Sequence, residues 1–422
     1  MGYLVKKTVS HNLLRLIFYF FLIGMLIYSG IGISIYPIQN KDNHFLSYII
    51  FIVIFTLFGI VITNSRCIRI SNENKKELFN ISDNQKWIIT IFAFVYLFTF
   101  VFPLMYPQNI LINIFNPQKI MSEFSTVSFS ERVINKSNGI VNFITGPLRI
   151  LVTPTFYLFL YRLRKKPMKF ILIYSLPVYF KLVTSSYISR NEILFYLFFI
   201  FLYFWIQKIF NRKLLIFLCL IGVFSVMPFL YDFTFLRTGG SAASADKLEK
   251  IFLLFKEETS YVNLFKYAEN SLSLKNKLSF FIYIFTSPIP NSLLFGLVNP
   301  IVLSEIFTHI IIGLNYGDQG YYILLPTVFG EGIMLFGVTF SWIYSIIVSF
   351  FYLSIGKIIS EFKELKFMLV AFVLDIFRQV RGGSQFVYTS WFPCVVYFVL
   401  FLFLLKKMNR WKRDDGTRHT VS

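Results

Sequence analysis

Six cations stand where an apolar chain seldom carries any. Arg149 and Lys181 fall inside long apolar runs, Arg190, Arg378 and Arg381 lie at or just beyond the ends of others, and Arg237 opens a long loop. An arginine or lysine at the centre of a membrane span costs roughly 2.5–3.5 kcal/mol on insertion scales, so several kept together point to use. Two of the sites share a further feature: Arg237-Thr238-Gly239-Gly240 and Arg381-Gly382-Gly383 each set paired glycines beside an arginine. Glycine lets backbone N–H groups come close to an anion, and the guanidinium fork bonds phosphate bidentately. The chemistry expected of the six is recognition of a phosphate or diphosphate. Ordinary pairing competes with that role, because Arg378 lies one turn after Asp375 and Arg190 lies beside Glu192.

A base to work beside such an anion is sought among Glu192, Asp232, His309, Asp318 and Glu331. Glu331 stands between Gly330 and Gly332 at the head of an apolar run and is preferred, although the helix dipole alone would favour an acid there. Histidine is the side chain best matched to proton transfer near neutral pH. His309, however, lies in an apolar, proline-broken stretch where a structural role is equally natural. Glu192 is the third choice. No Asp-x-Asp pattern occurs in the loops expected outside, so neither a metal nor a cofactor is called for.

The elements that must position these residues are helices. With 422 residues, 56% hydrophobic and 20% aromatic, the chain has more apolar surface than one soluble core could bury. Apolar runs occupy 13–35, 45–63, 87–106, 140–161, 170–187, 193–206, 214–230, 331–356, 367–380 and 391–405. In lipid each backbone donor and acceptor has to be satisfied within its own segment, which makes such runs helical. The run at 193–206 should continue a turn that starts at Arg190, and the run at 367–380 should begin earlier, within 361–366. The first run lacks a small-residue cleavage pattern and is expected to remain in the mature chain.

Lys and Arg concentrate on one side, notably Arg162, Arg164, Lys165, Lys166, Lys169 and the tail after Leu405. That places both termini in the cytoplasm. A net charge of +20 therefore reports topology and attraction to anionic membrane lipids and requires no nucleic acid partner. Cys67, Cys219 and Cys394 offer no exterior disulfide. The abundance of Phe, 54 residues, suggests an AT-rich genome and hence a bacterial inner membrane.

Two exterior loops remain, 107–139 and 231–330. In the second, Leu248, Phe252, Phe255, Val262 and Phe265 recur at helical spacing, as in an amphipathic helix on a membrane surface. The stretch 278–314, broken by Pro288, Pro290 and Pro300, reads as a re-entrant or interfacial pair, with two further spans as the alternative. The expected fold is an all-α polytopic membrane protein of about ten, at most twelve, transmembrane helices, forming one integral membrane domain over 1–422 with a large periplasmic loop.

A cationic cleft at the outer interface, beside aromatic loops, suits a lipid-linked sugar. Its tail would lie between helices, its diphosphate would meet arginines, and its sugars would pack on aromatic faces. Three features, Arg190-Asn191-Glu192, Gly330-Glu331-Gly332 followed by Phe336-Gly337, and Arg381-Gly382-Gly383 before the last span, together with this layout over nearly the whole chain, resemble the O-antigen and capsule repeat-unit polymerases (Wzy-type). The resemblance implies a glycosyltransferase that moves a growing glycan from its polyprenyl diphosphate carrier onto a fresh carrier-linked repeat unit outside the inner membrane. It implies a flippase and a chain-length regulator as partners. The external arginines of that family correspond in kind to Arg190, Arg237, Arg378 and Arg381.

Such a transfer sends an anionic diphosphate away from an anomeric carbon. Stabilising that charge is worth on the order of 3 kcal/mol, or about 100-fold, per lost group. A lipid-linked glycan ligase would share this physics and differ in its acceptor. A flippase or secondary transporter would instead line a cavity with polar residues across the whole bilayer. Glycosyltransferases that use carrier-linked monosaccharides place acids in the first exterior loop, where this chain has Asp42 alone.

Overall fold

The computed structural model describes residues 15–36, 41–64, 83–105, 139–185, 190–211, 213–218, 246–269, 271–289, 301–315, 323–385 and 387–400, with single positions at 221, 222, 225, 228, 231 and 318. Among the described residues all regular structure is helical. Arg237 and the loop at 107–138 lie outside them, as does the side chain of Arg190.

The first six helices follow the apolar runs closely: α1 (Arg15–Ile35), α2 (Lys41–Asn64), α3 (Asp83–Met105), α4 (Gly139–Leu163), α5 (Pro167–Ser185) and α6 (Arg190–Gln207). The sixth does begin at Arg190. In the large loop lie α7 (Lys247–Ser260), a 3-10 turn at Tyr261–Leu264, a single helical turn at Phe265–Ala268, α8 (Leu274–Thr286) and α9 (Leu303–Ile312). At 1.5 Å per residue, α8 and α9 fall well short of a hydrocarbon core about 30 Å thick, so neither spans by itself. The amphipathic stretch is split in its burial: Leu248, Phe252 and Phe255 are exposed on α7, whereas Val262 and Phe265 are fully buried.

The apolar run at 331–356, expected as one span, is two helices, α10 (Thr327–Phe340) and α11 (Trp342–Ser360). Gly337 breaks the path with φ 76° and ψ 171°, a conformation open to glycine and costly for other residues. The hydroxyl of Ser47 on α2 donates to the carbonyl of Val338 and bonds Ser341 Oγ at 2.7 Å, so a neighbouring helix satisfies the opened backbone. The chain continues through a 3-10 turn at Lys363–Leu365 into α12 (Lys366–Gly382) and, after a short turn, α13 (Val387–Leu400), which opens with a π turn at Val387–Trp391. The α12 helix starts at Lys366, and the expected upstream extension is the 3-10 turn.

By length and composition, α1, α2 and α11 can each cross a membrane, and shorter apolar helices surround them. These apolar helices mark the chain as membrane-embedded. Helix association in lipid relies on close packing and interhelical hydrogen bonds. Both occur along α2 and α11, where Ser345 Oγ donates to the Phe51 carbonyl at 2.7 Å and Lys357 Nζ to the Ile62 carbonyl at 2.7 Å. Stacked rings tie α1 to α2 through Phe21 and Phe55 at 3.6 Å and α5 to α6 through Phe170 and Tyr203 at 3.8 Å.

Candidate functional site

Six helices, α3, α4, α5, α6, α12 and α13, wall a cavity of about 340 Å³. Three of the six cations singled out by sequence, Arg149, Lys181 and Arg378, line it together, and so does Glu192. These residues come from four different helices, α4, α5, α6 and α12. The volume falls in the range of small-molecule sites, roughly 300–1,000 Å³. Much of the remaining wall is aromatic, with Tyr96, Phe100, Tyr174, Tyr196 and Trp391 prominent. On α5 the wall includes Pro177, which has no N–H and so removes one rung of the helix beside the cavity.

Each cation is held differently. Arg378 Nη2 pairs with Asp375 Oδ1 at 2.7 Å, the i,i+3 pairing that the sequence suggests. The other oxygen, Asp375 Oδ2, accepts from Gln379 Nε2 at 2.7 Å and from Trp391 Nε1 at 2.6 Å. Asp375 is therefore engaged on both oxygens and serves to orient Arg378 and Trp391. Lys181 Nζ pairs with Glu192 Oε1, which joins α5 to α6 beside the cavity. The Lys181 side chain is 43% exposed and the Glu192 side chain 22%.

Arg149 donates from Nε to Thr99 Oγ1 at 3.1 Å and from Nη2 to the Thr99 carbonyl at 2.9 Å, with its guanidinium 3.8 Å from the centre of the Phe100 ring. Its partners are neutral: among the described residues it forms no ion pair. Thr99 is itself buried. The two carboxylates of the cavity are matched with Lys181 and Arg378, so among the described residues no carboxylate pairs with Arg149. The ring of Phe100 adds a cation–π contact worth about 0.5–2 kcal/mol depending on desolvation.

The other candidates stand apart from this cavity. Glu331 is 2% exposed on α10. Its Oε2 accepts from the Ser384 N–H at 2.9 Å, the Ser384 hydroxyl at 2.6 Å and the Tyr344 hydroxyl at 3.1 Å. Tyr344 also bonds Ser384 Oγ and, at 3.2 Å, the hydroxyl of Tyr388. Glu331 is thus a buried, hydrogen-bonded acid. Two of the short motifs nonetheless meet here, since Gly330-Glu331-Gly332 packs on the turn that follows Arg381-Gly382-Gly383. His309 is exposed near the end of α9, and Arg381 is half-buried one turn beyond Arg378; neither lines the cavity.

Sequence reasoning passed over Thr99, Trp391 and the aromatic wall. Asp375 carried a signal, as the one acid in the run 367–380, because an intramembrane carboxylate beside an arginine is a site candidate by default. With the geometry in hand, comparison with known proteins adds no relative: no protein-family model, no curated protein and no solved structure matches the chain.

Proposed function

We propose that this chain polymerises polyprenyl-diphosphate-linked oligosaccharide repeat units at the outer face of a bacterial inner membrane. The observation that carries the reading is the cavity lined by Arg149, Lys181 and Arg378 among aromatic rings. Cations suit a diphosphate, aromatic faces suit sugars, and a bundle of apolar helices suits a polyprenyl tail. In this reading Arg149 is the principal diphosphate contact, since its charge has no acidic counterpart among the described residues. Arg378, oriented by Asp375, is the second.

Glu192 is the base of choice, ahead of Glu331 and His309, because among the three it alone lines the cavity. It takes the proton of the acceptor hydroxyl as that oxygen bonds the anomeric carbon. The bond from that carbon to the carrier oxygen breaks, and the diphosphate leaves with the electron pair toward Arg149. Lys181 pairs with Glu192 and holds its carboxylate in place beside the cavity. The scheme keeps about ten spans and cytoplasmic termini, and it needs neither metal nor cofactor. A flippase that delivers repeat units and a regulator of chain length are the partners it requires.

The test is a gel of surface polysaccharide from the native host with the gene deleted. The expected result is collapse of a many-repeat ladder to a single repeat on its acceptor, since export and ligation still operate. Complete loss of surface repeats would shift the assignment to a flippase or ligase, and an unchanged ladder would exclude all three.

A further inference from the structure

A second cationic constellation lies far along α4 from Arg149, where α4 turns into α5, and the cavity does not use it. Arg164 caps the end of α4 by donating from Nη1 to the Tyr161 carbonyl at 2.9 Å, with its guanidinium 4.1 Å from the centre of the Tyr161 ring. Lys366, at the start of α12, places Nζ 5.8 Å from that same ring and 5.1 Å from the ring of Phe367. The like charges of Arg164 and Lys363 act on Lys366. Tyr203 fixes the turn by donating its hydroxyl to the Arg164 carbonyl at 3.0 Å. Lys165, Lys166, Lys169 and Lys363 are exposed around this point.

Like charges this close repel one another, and a folded chain commonly relieves the repulsion with a carboxylate. Here Arg164, Lys363 and Lys366 form no ion pair among the described residues. Glu364, between Lys363 and Lys366 in sequence, forms no ion pair with these cations among the described residues. An external anion would meet several donors at once. Below the turn, Met168 and Leu172 lie one helical turn apart on α5 and are 80% and 64% exposed. Cations above an exposed apolar strip match an anionic phospholipid, with phosphate at the level of the turn and acyl chains along α5.

We propose that Arg164 and Lys366, gathered on Tyr161, bind the phosphodiester of an anionic phospholipid whose acyl chains run along Met168 and Leu172. The site is independent of the glycan cavity and holds whatever that cavity's ligand proves to be. A bound lipid would join α4, α5 and α12, three of the helices that wall the cavity.

The test uses the full chain purified in a neutral detergent and measures the thermal unfolding midpoint against added short-chain phosphatidylglycerol, phosphatidylcholine or inorganic phosphate. The expected result is a saturable rise with phosphatidylglycerol alone. The half-saturating concentration should increase about tenfold in Arg164→Ala/Lys366→Ala, a loss of roughly one good contact, and stay unchanged in Lys275→Ala, a control at an exposed lysine on α8. If the double variant does not fold, Lys366→Gln alone should raise the half-saturating concentration severalfold. An equal rise with phosphatidylcholine would overturn the proposal in favour of apolar contact only, and an equal rise with inorganic phosphate would make this a free-anion site. No rise at all, or the same titration in the variants as in the parent, would also overturn it.

Discussion

The carboxylate of Glu331 occupies the space that a side chain at Gly383 would fill. A Cβ at Gly383 would stand 3.0 Å from Glu331 Cδ and nearer still to Oε1, and the backbone there has φ 100° and ψ 159°. This contact couples the broken helix α10 to the turn between α12 and α13, the two helices that carry Asp375, Arg378 and Trp391 into the cavity. Gly383→Ala is expected to lower stability by about 2 kcal/mol or more, combining a backbone cost of roughly 1–3 kcal/mol with the steric conflict. Gly382→Ala, whose nearest neighbour would be Leu325 Cδ2 at 3.9 Å, should be nearly neutral. Thermal midpoints of the two variants in detergent make the comparison.

Ser384 and Tyr344 supply the donors that satisfy Glu331. Ser384→Ala and Tyr344→Phe each remove one hydroxyl from a buried carboxylate, a loss that typically costs about 1–3 kcal/mol. Their combination should fall short of the sum, because Tyr344 and Ser384 also bond each other and belong to one network. A double-mutant cycle on the unfolding midpoint reads this directly; strict additivity would show that the two hydroxyls act separately.

Glu192→Gln and Glu331→Gln distinguish the proposed base from the buried acid. Removing a general base lowers the rate by about 10²–10⁴-fold, so Glu192→Gln should abolish the polysaccharide ladder at normal protein level. Glu331→Gln should retain the ladder in whatever fraction folds. The reverse pattern would move the base to Glu331.

Asp375→Asn tests the orienting pair. It removes the charge that holds Arg378 at 2.7 Å and weakens the acceptor for Trp391 Nε1. The expected outcome is weaker binding of carrier-linked substrate, seen as a rise in KM of about tenfold with a smaller change in kcat. An unchanged KM would show that the pair has no part in binding.

Helix positions were legible because a membrane leaves an apolar run of this length little else to become. The run 45–63 lies within Lys41–Asn64 and 140–161 within Gly139–Leu163. The break between α10 and α11 was not legible. The run 331–356 contains no proline, and what turns the chain is a positive φ at Gly337 together with a bond from Ser47 on a helix remote in sequence but packed alongside. In the site, Arg149, Lys181 and Arg378 stood out as charges among apolar neighbours, and the Asp375–Arg378 pair followed from helical spacing. That Lys181 pairs with Glu192 depends on how α5 lies against α6, which local pattern does not specify. Nothing in the chain distinguishes Tyr96 or Trp391 from its other aromatic residues before the helices are packed.

The most direct measurement is polymer formation by the purified protein in lipid nanodiscs supplied with polyprenyl-diphosphate-linked repeat units, comparing the parent chain with Arg149→Ala and Arg149→Lys. A ladder is expected from the parent, with an initial rate about 100-fold lower for the folded fraction of Arg149→Ala and an intermediate rate for Arg149→Lys, which keeps the charge but loses the fork. A parent chain that forms no polymer, or an Arg149→Ala variant as fast as the parent, would contradict the proposed function.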